Sequence, residues 1–350
     1  MAETINVGEI AGRISKDIFQ HFFWQKSNKH DENFPCVNNK HLTDGQKQKV
    51  SHPGDAVFFY DDPYLSKKIY LHTDLKSYKK ETIKVSKLRD ALKSLCVTVE
   101  CANESEDWRK KYSIDDYELH EVRGLLFVHN YDNGYESQFY ELINKIDLQG
   151  LPLSSGLIVH YLGPHDINRL YSIGNDIIRL IHSGEIGRNY TFYYPDLVMY
   201  RRQGDVWNQA ATIESLTGPY LFIKHGAVDA SNGSGYVIYY NRPGSTPEEF
   251  EYFIDCLSRY QMLESNEKIR IRVTDAEAID DLKSMFHLAK KKYCRAWGFD
   301  PAREAILDEI EIERVTSVTS TYNPGDMGWR NEKYPQSWSV TLFCHGQEYL

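Results

Sequence analysis

The reading of this chain turns on residues 52–78, HPGDAVFFYDDPYLSKKIYLHTDLKSY. Two apolar runs, 55–60 and 69–77, are rich in aromatic and β-branched residues and are separated by Asp61-Asp62-Pro63, which favours a turn. The pattern predicts two strands joined as a hairpin. Successive side chains on a strand point to opposite faces, so Asp74 and Lys76 share one face and Leu75 takes the other. If Asp55 opens the neighbouring strand, its carboxylate approaches that of Asp74. Two such carboxylates resist joint ionisation unless a cation lies between them, and hard oxygen ligands suit Mg2+.

Outward from the hairpin, the period changes. Ile10, Ile14, Ile18 and Phe22 recur at four-residue steps with Phe23 beside them, predicting an amphipathic helix over 6–26. Residues 28–49 are polar, with Asp44-Gly45 as a turn signal, and read as a loop with one short strand at 34–37. Beyond the hairpin, Val85, Leu88, Leu92, Leu95 and Val99 step by three and four, predicting a second helix over 84–101. The run VRGLLFVH at 122–129 reads as a strand covered on both faces.

This order and these residues resemble the PD-(D/E)XK nuclease superfamily, the restriction-endonuclease-like enzymes. Gly54-Asp55 stands where the motif has Pro-Asp, with Pro53 one place earlier, and Asp74-Leu75-Lys76 fits (D/E)-X-K. The resemblance implies a helix, a three-stranded meander, a second helix and a further strand, a mixed sheet flanked by helices. It implies Mg2+-dependent phosphodiester hydrolysis, with Mn2+ as the substitute ion. Asp55, Asp74 and the Leu75 carbonyl would be metal ligands, and Glu9 on the first helix an auxiliary one. Lys76 would position the attacking water, and Tyr78, Lys79, Lys80 and Lys84 would meet nucleic-acid phosphates.

Each residue also has a plainer reading. Asp55 could end a turn, Lys76 could extend along a sheet edge, and Glu9 could pair with Arg13 at i+4. His72, on the Asp74 face, reads as an ordinary strand histidine before it reads as a neighbour of the metal.

The remainder predicts a second layered unit, α/β or α+β. Strands are expected at 156–162, 190–200, 235–240, 268–274 and 310–321, and helices at 165–183, 246–263 and 276–296. No internal repeat stands out. The division expected is 1–135 for the nuclease domain and 136–350 for a unit that recognises a partner or nucleic acid. Residues 188–207 interleave aromatic rings with Arg188, Arg201 and Arg202, yet read as a core or interface strand rather than a base-stacking platform.

Composition sets the frame. With 41% hydrophobic, 13% aromatic and 26% charged residues over 350 positions, disordered, collagen-like and disulfide-scaffold classes are excluded. The net charge of −9 is unevenly spread: residues 1–112 hold 19 Lys+Arg against 16 Asp+Glu, whereas 67–93 alone holds nine against three. The acidic remainder is a poor DNA clamp, so a partner subunit or a second copy is expected to complete the binding surface. No G-x-x-x-x-G-K-[ST] run occurs. Cys36, Cys96, Cys101, Cys256, Cys294 and Cys344 form no C-x-x-C pair and show no zinc spacing, so they read as reduced thiols. No apolar run of membrane length and no targeting segment is evident, which places the chain in the cytoplasm.

The function expected is a Mg2+-dependent nuclease acting on DNA in preference to RNA, resembling nuclease subunits of restriction and phage-defence systems. The alternatives are a non-catalytic nucleic-acid-binding or scaffold subunit and an RNA- or tRNA-cleaving enzyme.

Overall fold

A computed structural model describes residues 2–43, 45–115, 117–149, 151, 154–199, 207–229, 233–264, 267–275, 277–315 and 322. The chain opens with α1 (Ala2–Asp17), which ends nine residues before the helix expected from the periodicity. A 3-10 turn, Phe19–Phe22, follows, and Phe23 adopts a left-handed φ of 61°, a conformation that stops a helix. The apolar period persists because Ile14, Ile18, Phe19 and Phe22 all enter one core, although the backbone has changed course.

Next come β1 (Gln25–His30), β2 (Phe34–Pro35), β3 (Ser51–His52), β4 (Ala56–Asp62) and β5 (Lys67–Tyr78). The first strand of the meander is therefore β1, and not residues 34–37, which pair with β3 in a separate two-stranded piece. Strand β1 is polar and largely exposed at the sheet edge, so it carries no alternation to read. Then follow α2 (Val85–Glu104), α3 (Glu106–Lys111), β6 (His120–Asn130), α4 (Phe139–Asn144) and β7 (Val159–Leu162). The sheet order is β1-β4-β5-β6-β7: the first three strands are antiparallel neighbours, and β6 and β7 are added in parallel. This sheet draws its last strand from well beyond residue 135.

The second half contains α5 (Pro164–His182), β8 (Tyr190–Phe192), α6 (Pro195–Met199), α7 (Ile213–Thr217), β9 (Tyr220–His225) and β10 (Gly235–Tyr240). It continues with α8 (Pro247–Arg259), β11 (Lys268–Val273), α9 (Leu282–Trp297), α10 (Pro301–Asp308) and β12 (Glu311–Arg314). The strand expected at 190–200 stops at Phe192, because Pro195 starts a short helix; Tyr200, Arg201 and Arg202 lie outside the described residues. Of the strand expected at 310–321, residues 316–321 likewise lie outside.

The second sheet, β8-β9-β10-β11-β12, repeats the connectivity of the first. Again three strands form an antiparallel meander, a helix crosses over, and two strands are added in parallel. Each meander is preceded by a long helix, α1 or α5. The two sheets share a central core in which Phe58, Leu71 and Phe127 of the first, Ile14 and Ile18 of α1, Ile173 and Ile177 of α5, and Ile223, Val237 and Tyr239 of the second are all buried. The outer faces have their own cores: Leu88, Leu95 and Val99 of α2 against the first sheet, and Phe250, Phe253 and Phe286 of α8 and α9 against the second. One buried ion pair crosses the centre. The Arg272 guanidinium donates through Nε and Nη2 to Asp176 on α5 at 2.9 and 2.6 Å, and the Tyr239 hydroxyl donates to the same carboxylate at 3.1 Å.

Candidate active site

Strand β5 is longer than its antiparallel partner. Ala56, the first residue of β4, lies opposite Thr73, so Asp74 to Tyr78 run on with only β6 beside them. The Leu75 N–H on the open side would lack a ladder partner. Asp55 supplies one: its Oδ2 accepts from Leu75 N–H at 2.9 Å. This bond draws the carboxylate to the point where Asp74, on the same face, emerges beside Leu126 of β6.

Asp55, Asp74 and Lys76 are all half-buried, and the Lys76 ammonium forms an ion pair with Asp74 Oδ1. Burial first, and then the neighbouring charge of Asp74, push the Asp55 carboxyl up to about 6; the Leu75 N–H and the Lys76 charge act against them. Lys76 has its pKa raised: burial lowers it, and the Asp74 carboxylate outweighs that loss. The donor set of two carboxylates and a strand carbonyl is all hard oxygen, and the raised Asp55 value marks a place where positive charge is in short supply. Those features suit a small divalent cation.

A buried scaffold holds the turn before Asp55. Trp108 Nε1–H donates to His72 Nδ1 at 3.2 Å, which fixes the other ring nitrogen as the donor to the Pro53 carbonyl at 3.0 Å. His72 is therefore a strut, with burial pushing its pKa down to about 4, and does not face the carboxylates as a ligand. Gly54 is required at its position: a Cβ there would lie 2.8 Å from the Glu32 carbonyl oxygen and 3.1 Å from the Tyr112 hydroxyl. Gly124 on β6 serves the sheet similarly, letting Leu95 and Val99 of α2 pack directly on the strand.

Glu9 is exposed on α1, and no hydrogen bond or ion pair joins it to Asp55, Asp74 or Lys76. Tyr78 is half-buried, while Lys79, Lys80 and Lys84 are exposed along the turn from β5 into α2. The Lys80 N–H is held by the Asp132 carboxylate at 3.1 Å. The aromatic residues after 188 are used internally: Tyr190 stacks on Phe23 at 4.9 Å between ring centroids, and the Tyr194 hydroxyl donates to the Ala210 carbonyl at 2.6 Å. A separate cleft of about 1150 Å³ lies between the halves, lined by His160, His165, Arg169, Asn241 and Asp275 among others.

Sequence reasoning missed a second cluster. Cys36, His41, His52 and Cys101, read as unrelated, converge so that one ligand atom from each lies within 4.8 Å of all the others. The only hint in the sequence was a histidine immediately before Pro53-Gly54-Asp55.

A mixed five-stranded sheet, an acidic pair at its centre and a lysine two residues along are the marks of a PD-(D/E)XK nuclease domain, and that is the class of the N-terminal half. Residues 1–166 match the family described as GAPS4 protein PD-(D/E)XK nuclease domain, a nuclease family associated with phage defence. No curated protein and no solved structure matches the chain. Among the described residues, no helix is long and apolar enough to cross a membrane.

Proposed function

We propose that the chain is a Mg2+-dependent deoxyribonuclease acting in defence against phage or other foreign DNA. The observation that carries this reading is the Asp55 carboxylate held at the Leu75 N–H beside Asp74 and Lys76. Asp55, Asp74 and the Leu75 carbonyl would hold Mg2+. Bound there, the ion supplies a Lewis acid that offsets phosphate charge and makes water a better nucleophile.

The chain's own groups do the rest. Lys76 orients the attacking water and stabilises charge on the phosphate oxygens as the bond breaks. Tyr78, Lys79, Lys80 and Lys84 hold the backbone phosphates and carry affinity without sequence information. Glu9, exposed on α1, contributes only through water. Because 113–350 holds 22 Lys+Arg against 34 Asp+Glu, a partner subunit or a second copy completes the DNA surface.

The test is digestion of supercoiled DNA, linear DNA and transfer RNA with and without Mg2+, by the wild type and Lys76→Ala. DNA cleavage that needs Mg2+ and falls on the order of 10²-fold or more in the variant is the expected result. Cleavage of transfer RNA alone would replace the DNA reading with an RNA one. Binding without cleavage by both proteins would leave a scaffold subunit in its place.

A further inference from the structure

We propose that Cys36, His41, His52 and Cys101 form a structural zinc site that clamps residues 34–52 onto α2. Cys36 directly follows β2, His41 lies in the loop beyond it, His52 is in β3 and Cys101 in α2, and three of them, His41, His52 and Cys101, are buried. The two sulfurs are 3.6 Å apart, and His41 Nδ1 lies 3.6 Å from Cys36 Sγ and 3.2 Å from Cys101 Sγ. A tetrahedral zinc with Zn–S of about 2.3 Å and Zn–N of about 2.0 Å requires S···S of roughly 3.8 Å and S···N of roughly 3.5 Å. The three separations among Cys36, His41 and Cys101 fall within about 0.3 Å of these and exceed a disulfide bond, whose sulfurs are about 2.05 Å apart, and the His52 ligand atom lies within 4.8 Å of the others.

Hydrogen bonds set both imidazoles in the ligating form. The Thr98 hydroxyl spends its only proton on the Ser94 carbonyl at 2.8 Å, so its oxygen accepts from His52 Nδ1–H at 3.3 Å. That leaves His52 Nε2 with a bare lone pair, buried and without any hydrogen-bond partner. In His41 the arrangement is reversed: Nε2 is engaged by the Glu100 carboxylate at 2.6 Å, and Nδ1 faces the sulfurs. A carboxylate behind a ligating histidine orients the ring and raises its basicity at metal centres.

Two thiolates and two neutral imidazoles around Zn2+ give a cluster of zero net charge, which a buried position tolerates. Binding releases two thiol protons to solvent and changes no oxidation state. Soft sulfur ligands in a closed tetrahedral set select zinc and not the hard cation suited to Asp55 and Asp74. The clamp ends at His52, three residues before Asp55, so it fixes the approach of the chain to the acidic pair.

Full-length protein purified without chelator should carry one zinc per chain by elemental analysis. Its zinc-edge X-ray absorption should show two sulfur and two nitrogen neighbours. Cys101→Ser and His52→Ala should lower occupancy to about a tenth or less, while Cys96→Ser on the same helix and Asp55→Asn should retain it. Metal-free wild type, an all-oxygen shell, or full occupancy in Cys101→Ser would overturn the proposal and leave a hydrogen-bonded thiol–imidazole cluster only. The absorption spectrum reads the wild type, so misfolding of a variant does not blunt the test, and retention in Asp55→Asn separates this site from the nuclease reading.

Discussion

Replacing Asp55 by asparagine should stabilise the metal-free protein at neutral pH and abolish its response to Mg2+. Asparagine keeps an oxygen for the Leu75 N–H, so the 2.9 Å contact survives while the charge is lost. The wild-type carboxyl is raised from its ordinary value of 3.8 to about 6, by burial and then by Asp74. The folded form thus holds the proton more tightly than the unfolded chain. Below 3.8 both forms are protonated and the group costs nothing; the penalty grows as pH rises and is complete above 6. At 1.36 kcal/mol per pH unit the full gap is worth ~3 kcal/mol. Equilibrium urea unfolding of both proteins, in Mg2+-free buffer without chelator, should show the advantage of Asp55→Asn growing by about 2 kcal/mol between about pH 4.5 and pH 8. Added Mg2+ should then stabilise the wild type at pH 8 and leave the variant unchanged. An advantage equal at both pH values, or a variant less stable at pH 8, would refute the assignment of a strained, metal-seeking carboxylate.

Three further outcomes follow from the packing and charge. Asp176→Ala removes the acceptor of Tyr239 and leaves Arg272 only its 2.8 Å contact with the exposed Glu313, and should cost about 3 kcal/mol in urea unfolding. Gly124→Leu drives a side chain into Val99 and Leu95, whose atoms would lie within 3.2 Å of the new Cβ, and should cost about 3 kcal/mol and separate α2 from the sheet, read as lost protection of α2 amides from hydrogen exchange. Alanine at Lys79, Lys80 and Lys84 together should weaken DNA binding alike on all sequences and reduce the slope of log affinity against log salt by about 2–3, measured by fluorescence anisotropy.

The parts legible in the sequence were those whose burial imposes a period. Strands β4 and β5 lie between two cores, so Val57, Phe58, Ile69, Tyr70 and Leu71 advertise them, and the charged, half-buried Asp74 and Lys76 stand out against that background. Strand β1 was invisible because an edge strand with polar side chains on both faces has no reason to alternate. The end of α1 was misplaced because Ile18 and Phe22 serve the same core through a 3-10 turn. The Cys36, His41, His52 and Cys101 cluster left no spacing signature, since its ligands meet only when the excursion between β2 and β3 folds against α2. Short helices such as α4 and α7 lacked a run long enough to show any period, and β9, although its burial alternates, carries the apolar residues Tyr220, Leu221, Phe222 and Ile223 in succession, which hides the alternation in the sequence.

The repeated connectivity of the two sheets bears on how many strands one molecule cuts. In the first sheet the residue before the second meander strand is Asp55, across from Asp74. At the matching end of the second sheet Tyr220 pairs with Tyr240, the residue before it is Pro219, and Asn241, Arg242 and Pro243 follow directly on the end of the neighbouring strand. That copy of the architecture has proline and asparagine where the first has its carboxylates, and proline again at the place of its lysine. Among the described residues, a single chain therefore holds two frameworks but one set of the cutting groups proposed above. On a covalently closed plasmid, a lone molecule would open one strand per encounter, and relaxed circles would accumulate before linear product. A direct passage to linear DNA would mean that two chains act together, each addressing one backbone of the duplex.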